Sequence, residues 1–536
     1  MTRLDVGQAL SLAFQHHEAG RSADARALCQ RIARQLPTHA GAQYLLGLIA
    51  LRGEQPRRAV EHLQRAVAAT PSALAPNVAL ARAQTAAGQR PAAIGQYGRV
   101  LTLAGGASAE IHGELADVLR REGRIKEAID HCHLGLRLAP ERAALHNTLG
   151  SLLTSAGRAA EALVNLRRAL DLRPDWPTAS FNLGVALRAC GRLDEAAGTL
   201  RRAIALKPGH SAAHAALAAL WHEAKKPDDA RRHAERALAF DKGSADAWLV
   251  LGQLDLRGAP DKALAAFERA ARLAPDLPQA QFCLAEAWRR RGDAGKAARH
   301  YRRYLDLEPA DRLGATLALA TLQGVAAPAT APPEYVRTLF DHYAERFDAD
   351  LVEALGYQAP QILGGVLAEV IGTPCPRLDI FDIGCGTGLC GHVLRPLARR
   401  LDGLDLSPRM VEKAAERGLY DGLTVGDLAT AMADRPQAYD LVVAGDVFVY
   451  IGDLQPALLA TFAALRPGGL LAFTTERGDG DGYTLGDKHR YRHAPRYLEA
   501  MARHAGFTVP LLRDCVCRHE NRQPVASLVT VLRKAA

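Results

Sequence analysis

The stretch Leu378-Asp-Ile-Phe-Asp-Ile-Gly-Cys-Gly-Thr-Gly388 decides the fold of the C-terminal part of this 536-residue chain. Its first six residues are mostly apolar and predict a β-strand. The three alternating glycines predict a turn that leads into a helix over residues 389–400. Because glycine has no Cβ atom, such a turn lets backbone N–H groups approach a ligand closely. Leu389 stands where a dinucleotide-binding G-x-G-x-x-G pattern needs its third glycine, and no lysine follows as a phosphate loop requires.

Acidic residues stand at or near the ends of the strands that are predicted next. These strands cover residues 400–406, 422–428, 439–447 and 469–476, followed by a helix over 495–504 and two last strands over 508–516 and 525–532. Strands that alternate with helices form a parallel sheet with helices on both faces, and ligands bind at the carboxyl ends of its strands. We therefore expect Asp405, Asp427 and Asp446 to meet at one edge of the sheet. Ser407 and Pro408 predict a helix start, with serine as N-cap and proline as the first helical residue.

The D-x-G-x-G-x-G pattern of residues 382–388, followed by Asp405 and Asp427 at strand ends, resembles the class I S-adenosylmethionine-dependent methyltransferases. The resemblance implies an α/β Rossmann-like domain with a mostly parallel seven-stranded sheet, a last antiparallel hairpin, and S-adenosyl-L-methionine as cofactor. It also implies that Asp405 accepts the ribose hydroxyls, that Asp427 binds the adenine amino group, and that the backbone of Leu428 meets a ring nitrogen. The predicted cofactor-binding residues are Asp382, Gly384, Cys385, Gly386, Thr387, Gly388, Asp405, Leu406, Asp427, Leu428, Asp446 and Tyr343.

An amphipathic segment over residues 335–348 precedes this motif, with Phe340, Tyr343 and Phe347 at helical spacing. Many methyltransferases place such a helix over the cofactor as a lid, and the resemblance implies that Tyr343 touches the cofactor. The alternative is that these rings only pack the helix onto the sheet.

The sequence says less about the acceptor of the methyl group than about the cofactor. Asp446-Val-Phe-Val-Tyr450 stands where relatives that methylate amides or adenine carry Asn/Asp-Pro-Pro-Tyr/Phe, which disfavours those reactions. The glycine-rich loop over 477–493 ends in His489-Arg-Tyr-Arg-His493, and we expect it to form a substrate wall whose cations could hold a carboxylate. Methyltransferases with similar motifs often act on oxygen atoms of small acids. No catalytic residue is assigned, and the candidates for a base are Tyr450, His489, Tyr491 and His493.

The N-terminal part repeats itself about every 34 residues. A small residue recurs at Ala13, Gly47, Ala81, Ala116, Gly150, Gly184, Ala218, Gly252 and Ala285, and a second alanine follows eleven or twelve positions later. A proline ends most units, as at Pro37, Pro140 and Pro309, because it cannot continue a helix. This pattern resembles the tetratricopeptide repeat in nine units, with a further helix over 313–322 as a cap. The resemblance implies an all-α superhelix whose groove holds a protein partner or a carrier-bound substrate. The alternative is a spacer or a dimerisation surface.

Composition limits the remaining possibilities. We predict a repeat array over 1–324, a proline-rich linker over 325–333 and a methyltransferase domain over 334–536. Residues 334–536 carry a net charge of −4. Because the whole chain carries +9, residues 1–333 carry +13. No basic run is interleaved with aromatic residues, which argues against nucleic acid as a partner.

The nine cysteines are scattered, at residues 29, 132, 190, 283, 375, 385, 390, 515 and 517, and no C-x-x-C pair predicts a metal site. No apolar run is long enough to span a membrane, and the first residues lack the layout of a signal peptide. We therefore expect a cytoplasmic protein without a membrane partner.

Taken whole, the chain resembles bacterial predicted methyltransferases in which tetratricopeptide repeats precede a class I methyltransferase domain. The resulting hypothesis is an S-adenosylmethionine-dependent methyltransferase whose repeats recruit a protein or carrier-bound substrate. The alternative is an adaptor whose repeats bind partners while the C-terminal domain only senses the cofactor.

Overall fold

The computed structural model describes residues 5–349, 351, 355–372, 377–486 and 488–535. Cys375 and residues 352–354 of the segment that follows the predicted lid lie outside the described residues. The chain divides into two compact units, Met1–Leu254 and Asp255–Ala536. The predicted domain limits at 324 and 334 stay a prediction.

Helices alone build the described part of the first unit. They are α1 (Val6–Glu18), α2 (Ser22–Gln35), α3 (Ala40–Arg52), α4 (Pro56–Ala69), α5 (Leu74–Ala86), α6 (Arg90–Leu103), α7 (Ala109–Arg121), α8 (Ile125–Leu138), α9 (Ala143–Ser155), α10 (Ala159–Leu172), α11 (Pro177–Ala189), α12 (Leu193–Leu206), α13 (Ser211–Glu223), α14 (Pro227–Phe240) and α15 (Ala245–Asp255), which ends on the first residue of the second unit. The small residues lie in the odd-numbered helices and the second alanines in the even-numbered ones, as predicted.

The spacing of the small residues has a direct packing reason. A Cβ atom on Gly47 would lie 2.4 Å from Leu63, and one on Gly150 would lie 2.4 Å from Leu166. Each leucine stands sixteen residues further on, in the second helix of the pair. The absence of a side chain therefore lets the two helices of a pair approach closely, which explains why small residues recur at this position.

The second unit begins with four more helices, α16 (Pro260–Leu273), α17 (Pro278–Arg290), α18 (Ala294–Leu307) and α19 (Ala315–Gln323). The helix α19 agrees within two residues with the cap that was predicted over 313–322. Asp311 accepts hydrogen bonds from the backbone N–H groups of Ala315 (2.7 Å) and Thr316 (2.9 Å), and so caps the start of α19.

An α/β fold follows. Its strands are β1 (Leu378–Ile383), β2 (Ala398–Asp405), β3 (Gly422–Val425), β4 (Tyr439–Ala444), β5 (Leu465–Arg477), β6 (Tyr483–Leu485), β7 (Tyr491–His493), β8 (Phe507–Glu520) and β9 (Gln523–Lys534). Its helices are α20 (Pro333–Tyr343), α21 (Ala359–Ile371), α22 (Gly391–Leu394), α23 (Pro408–Glu416), α24 (Leu428–Ala433), α25 (Gln455–Ala464) and α26 (Pro495–His504).

The strands form one mostly parallel sheet in the order β3-β2-β1-β4-β5-β7-β6. The antiparallel hairpin of β8 and β9 joins it through β9, which pairs with β5. The described residues thus form nine strands rather than the seven expected, because the short strands β6 and β7 lie inside the loop predicted over 477–493. Each of these strands has only three residues, too few for an alternation of polar and apolar residues to indicate a strand.

The element after the glycine turn differs most from its prediction. A helix was expected over 389–400, but α22 covers only four residues and a short 3-10 turn, Arg395–Leu397, follows it. Pro396 has no N–H group to continue an α-helix, and β2 already begins at Ala398. By contrast, Ser407 caps α23 as predicted, since its hydroxyl oxygen accepts from the N–H of Met410 at 3.1 Å.

None of the described helices is both long enough and apolar enough to cross a lipid bilayer.

Candidate active site

A cavity of about 420 Å³ lies at the carboxyl ends of β1, β2, β3 and β4. The helix α20 and the residues that follow it form another wall. Eight of the predicted cofactor-binding residues line this cavity: Gly384, Gly386, Asp405, Leu406, Asp427, Leu428, Asp446 and Tyr343. The other four predicted residues do not line the cavity; they are Asp382, Cys385, Thr387 and Gly388.

The glycine turn adopts a backbone that side chains would disfavour. Gly384, Gly386 and Gly388 have φ angles of 66°, 55° and 88°. A Cβ atom on Gly384 would lie 2.3 Å from Val447, whereas one on Gly386 would have only the ring of Phe347 nearby, at 3.8 Å. Gly384 is therefore needed for packing, and Gly386 keeps one side of the cavity open.

Asp405 connects this turn to the start of α23. One carboxylate oxygen accepts from the N–H of Gly386 at 2.9 Å, and the other accepts from the N–H of Ser407 at 2.8 Å. Burial raises the pKa of this carboxyl group, and the two backbone donors act in the opposite direction. The carboxylate is thus fixed at the edge of the cavity.

Asp427 stands at the N-cap of α24. One of its oxygens accepts from the N–H groups of Ala429 (2.9 Å) and Thr430 (3.2 Å). The second oxygen has no hydrogen-bond partner among the described residues, and the side chain is exposed. Leu428 is the first residue of α24, where a backbone N–H has no acceptor within the helix. This end of the cavity therefore offers one carboxylate oxygen and one backbone donor.

Asp382 lies beneath the glycine turn and is fully buried. Tyr420 donates a hydrogen bond to one of its oxygens at 2.6 Å, and the other oxygen has no partner among the described residues. Burial raises the pKa of Asp382 to about 7. Thr387 is also buried, and its hydroxyl donates to Asp348 at 2.5 Å. Asp382 thus connects β1 to Tyr420, and Thr387 connects the turn to the segment that follows α20.

The predicted lid lies over the cavity. Phe340, Tyr343 and Phe347 line it, and their rings also contact one another, with centroids 5.5 Å apart for Tyr343 and Phe347. Asp341 connects this segment to the start of α23, because its carboxylate accepts a hydrogen bond from the hydroxyl of Ser407 at 2.6 Å. The two interpretations of these rings, lid and packing, are therefore compatible.

The far end of the cavity holds a buried ion-pair network. Arg518 is 4% exposed and binds Asp446 at 2.5 Å, together with Glu476 and Glu520. Arg490 binds the same two glutamates. Asp446 has a φ of 56°, a left-handed conformation that is rare outside glycine and often found at functional sites.

Two tyrosines face this end of the cavity. Tyr450 and Tyr357 line it, and neither hydroxyl group has a hydrogen-bond partner among the described residues. Burial raises the pKa of both phenols, so both stay protonated and act as donors at neutral pH.

The other candidates for a base do not line the cavity. His489 packs against the ring of Tyr335. Tyr491 is fully buried and donates to the backbone oxygen of Pro328 at 2.7 Å. His493 is fully buried, its Nε2 lies 2.9 Å from the backbone oxygen of Ile451, and burial lowers its pKa to about 4. The structure thus brings only Tyr450 of the four to the cavity.

Sequence reasoning missed Tyr357, Arg518, Glu476 and Glu520 as residues of the site. Arg518 and Glu520 belong to the last hairpin, more than 70 residues after Asp446, and no local pattern connects them. The only signal was their alternation on one strand, which places both side chains on the same face. Among the described residues, no group of three or more His, Cys, Asp or Glu side chains is arranged to hold a metal ion.

Comparisons with known proteins agree with this arrangement. A family model described as a methyltransferase domain matches residues 381–471. Two tetratricopeptide repeat models match residues 153–220 and residues 16–73, 78–143 and 254–312.

Two curated relatives are similar to the C-terminal part. Methyltransferase-like protein 27 of Homo sapiens is 31% identical over 142 residues, which cover 25% of this chain and 56% of that protein. The malonyl-[acyl-carrier protein] O-methyltransferase of Serratia marcescens is 28% identical over 171 residues, which cover 32% of this chain and 64% of that protein. The chain thus spans less than two thirds of the length of either relative.

A solved structure of Burkholderia thailandensis 1,6-didemethyltoxoflavin-N1-methyltransferase, with bound 1,6-didemethyltoxoflavin and S-adenosylhomocysteine, is 20% identical. The match covers 40% of this chain and 94% of that one, with a TM-score of 0.32. From the family models and the curated relatives, the chain combines tetratricopeptide repeats with a methyltransferase domain.

Proposed function

We propose that the protein is an S-adenosyl-L-methionine-dependent methyltransferase that methylates a carboxylate oxygen of a protein-borne or carrier-borne acid. The observation that carries this proposal is the convergence of Gly386, Asp405 and Asp427 on one cavity. The residues fit an adenosyl group: Gly386 leaves space, Asp405 can accept ribose hydroxyls, and Asp427 has an unpaired oxygen for an amino group. The cofactor would supply a methyl group on a positively charged sulfur atom.

The opposite end of the cavity supports a carboxylate as acceptor. Arg490 uses two of its nitrogens for Glu476 and Glu520, and its Nη1 has no partner among the described residues. Together with the hydroxyl groups of Tyr450 and Tyr357, it offers three donors. Donors of this kind form strong charge-assisted hydrogen bonds to a carboxylate.

A carboxylate acceptor also agrees with the lack of an evident base. Carboxyl groups have pKa values of about 4, so they are ionised at neutral pH and need no proton removed before methyl transfer. The residues of the chain would then act by orientation: the tyrosines and Arg490 hold the acceptor, and the lid excludes water. The repeats, a type of module that commonly binds proteins, would bring the acid to the cavity.

Two measurements on the full chain test this proposal separately. Calorimetric titration with S-adenosylhomocysteine tests the cofactor site. Transfer of a tritiated methyl group to malonyl-[acyl-carrier protein], and not to its methyl ester, tests the acceptor. We expect Arg490→Gln to raise KM roughly 10- to 100-fold, because a hydrogen bond to a charged group contributes about 1.5–3 kcal/mol.

Arg492→Gln is the matched control, because its side chain is 56% exposed and lies 3.7 Å from Glu476 outside the cavity lining. Absence of S-adenosylhomocysteine binding would contradict the methyltransferase proposal. Binding without transfer to any acid would contradict the carboxylate acceptor and would favour the adaptor alternative.

A further inference from the structure

The segment of residues 327–333, which we call the strap, was predicted to be part of a semi-extended linker. In the structure it is bonded to the loop that carries Tyr450. The N–H groups of Gly452 and Asp453 donate to the backbone oxygen of Ala329 at 2.8 and 2.9 Å, and the N–H of Ala331 donates to the backbone oxygen of Tyr450 at 2.9 Å. Thr330, opposite Ile451 in an antiparallel bridge, lines the cavity with its neighbour Ala331.

Two of the residues that were candidates for a base hold this arrangement instead. The hydroxyl of Tyr491 donates to the backbone oxygen of Pro328 in the strap at 2.7 Å. His493 Nε2 lies 2.9 and 3.1 Å from the backbone oxygens of Ile451 and Gly452. Since both partners are acceptors, Nε2 must carry the proton. Tyr491 and His493 are therefore positioning residues for the strap and for the loop of Tyr450.

The strap and the start of α20 also pack against α19, the last helix before the strap. Leu317 of α19 is fully buried in a cluster with Ala331, Val336 and Tyr491. The ring of Tyr335, in the first turn of α20, lies against Gly314, the residue before α19. A Cβ atom on Gly314 would be 2.9 Å from that ring. Within the second unit, α19, the strap and the lid helix thus form one continuous packed segment.

The strap itself meets the cavity at its acceptor end. Its backbone bonds go to Tyr450, Gly452 and Asp453, whereas the hydrogen bonds of Asp405 and Asp427 go to the turn after β1 and to the starts of α23 and α24. We propose that the strap is the acceptor-side wall of the cavity and that α19 positions it, so that the terminal repeat sets the affinity for the acceptor and not for the cofactor. This inference rests on the proposed function.

The chain offers two matched pairs of variants to test it in the full-length protein. Tyr491→Phe removes the hydroxyl that holds the strap. Tyr483→Phe, in the same aromatic cluster, removes a hydroxyl without a hydrogen-bond partner among the described residues. Gly314→Ala and Gly324→Ala introduce the same methyl group at the two ends of α19, where φ is 77° and 60°. Only the first methyl group meets Tyr335, since nothing lies within 4 Å of the second.

Three quantities are measured for each variant: amide hydrogen exchange of segments 324–333 and 448–454, the Kd of S-adenosylhomocysteine, and KM and kcat with malonyl-[acyl-carrier protein]. We expect slow exchange of both segments in the unmodified protein. Tyr491→Phe and Gly314→Ala should accelerate exchange in both segments and raise KM at least fivefold, with Kd changed less than twofold. Tyr483→Phe and Gly324→Ala should leave all three quantities unchanged.

Fast exchange of the strap in the unmodified protein would overturn the inference, and so would an equal weakening of cofactor binding by Tyr491→Phe. The inference also fails if each variant behaves like its control. Failure of the proposed acceptor has a different signature, because the unmodified protein then binds S-adenosylhomocysteine but does not methylate the probe. The exchange and Kd measurements then decide: coupled loss of protection in both segments at unchanged Kd supports the strap, and loss in one segment alone overturns it.

Discussion

The repeats and the α/β domain use opposite ways of holding polar side chains. In the repeats, a residue of the first helix in a pair bonds a residue nineteen positions later in the second helix. The pairs are Gln43 with His62, Asn77 with Gln96, His112 with His131, His146 with Asn165, His214 with His233, and Gln281 with His300. In the α/β domain the decisive partners are distant in sequence, such as Asp446 and Arg518 or Pro328 and Tyr491.

This difference predicts how each region responds to damage. A contact that recurs in six of the nine repeats can be lost once with a local effect, because each repeat interacts mainly with its neighbours. The candidate active site depends on single groups that no other described residue duplicates, so we expect the loss of one group to weaken binding directly. The expected effects therefore decrease from the cofactor site, through the buried support of that site, to the repeats.

The largest effect is expected at the cofactor end of the cavity. Asp405→Ala removes the carboxylate that both faces the cavity and binds the N–H groups of Gly386 and Ser407. Gly386→Val places a β-branched side chain in a backbone with a φ of 55°. Each variant should weaken S-adenosylhomocysteine binding at least about 100-fold. For Asp405→Ala the reason is the loss of hydrogen bonds to a charged group, two of which contribute roughly 3 kcal/mol or more. For Gly386→Val the reason is the side chain that fills the cavity at this point.

Asp514→Ala is the control for these variants, because Asp514 is exposed on β8, pairs with Arg477 and does not line the cavity. Calorimetry measures the affinity, and circular dichroism checks that the fold is kept. Normal affinity in both Asp405→Ala and Gly386→Val would mean that the cofactor site lies elsewhere.

An intermediate effect is expected at Asp382. Its pKa is raised from 3.8 to about 7 in the folded protein, so the folded state binds a proton that the unfolded state releases above pH 4. The stability should therefore fall as the pH rises from about 4 to 7 and stay level above 7. At 1.36 kcal/mol per pKa unit, this change amounts to roughly 4 kcal/mol. Asp382→Asn, which is always neutral, should flatten the profile.

Asp379 provides the control on the same strand. Its pKa is lowered to about 2, chiefly by the hydrogen bond from Arg399, so it stays ionised over the whole range. Asp379→Asn should lower the stability evenly from pH 5 to pH 8, without a change of slope. Calorimetric unfolding over this range compares the two slopes, and an unchanged slope in Asp382→Asn would refute the assignment of the titrating group.

The same contrast explains how much of the molecule the sequence could predict. The repeats follow from short-range spacing, since Gly47 needs only Leu63 sixteen residues away to explain its size. The positions of Asp405 and Asp427 follow from the rule that parallel strands bring their carboxyl ends together. The acceptor end could not be predicted. Arg518 belongs to β8 and Pro328 to the strap, and no short-range spacing in the sequence connects either of them to Asp446 or Tyr450. Tyr491 and His493 were candidates for a base in the sequence. Their hydrogen bonds to backbone oxygens in the structure indicate a positioning role instead.

The smallest effect is expected from the histidine pairs of the repeats. His214 and His233 share a hydrogen bond of 3.0 Å between their Nδ1 atoms, so only one proton can occupy that contact and the ring that accepts it must be neutral. Burial, followed by His214, lowers the pKa of His233 to about 4. Arg232 and Arg236 contribute to this lowering, and Asp229 opposes it.

The direction of the pH effect follows from that lowered pKa. Between pH 6.5 and 4 the unfolded chain binds a proton at His233 that the folded chain does not, so stability is lost as the pH falls. The loss should be about 1 kcal/mol, less than the full shift implies, because the side chain is partly exposed and screened by solvent. The pair His146–Asn165 shows that asparagine can take this place. His233→Asn should therefore keep the hydrogen bond and remove part of the pH dependence.

Tryptophan fluorescence can follow this effect, because all four tryptophans, at 176, 221, 248 and 288, lie in repeat helices or directly before one. Denaturant unfolding at pH 7 and pH 4.5 gives the loss of stability for the unmodified protein and for His233→Asn. The control is His133→Asn, which changes an exposed histidine and should leave the loss as it was. If His233→Asn loses as much stability on acidification as the unmodified protein, the lowered pKa of His233 is not the cause of the loss. If it also unfolds many repeats at pH 7, the repeats are not the additive array that their recurring contacts indicate.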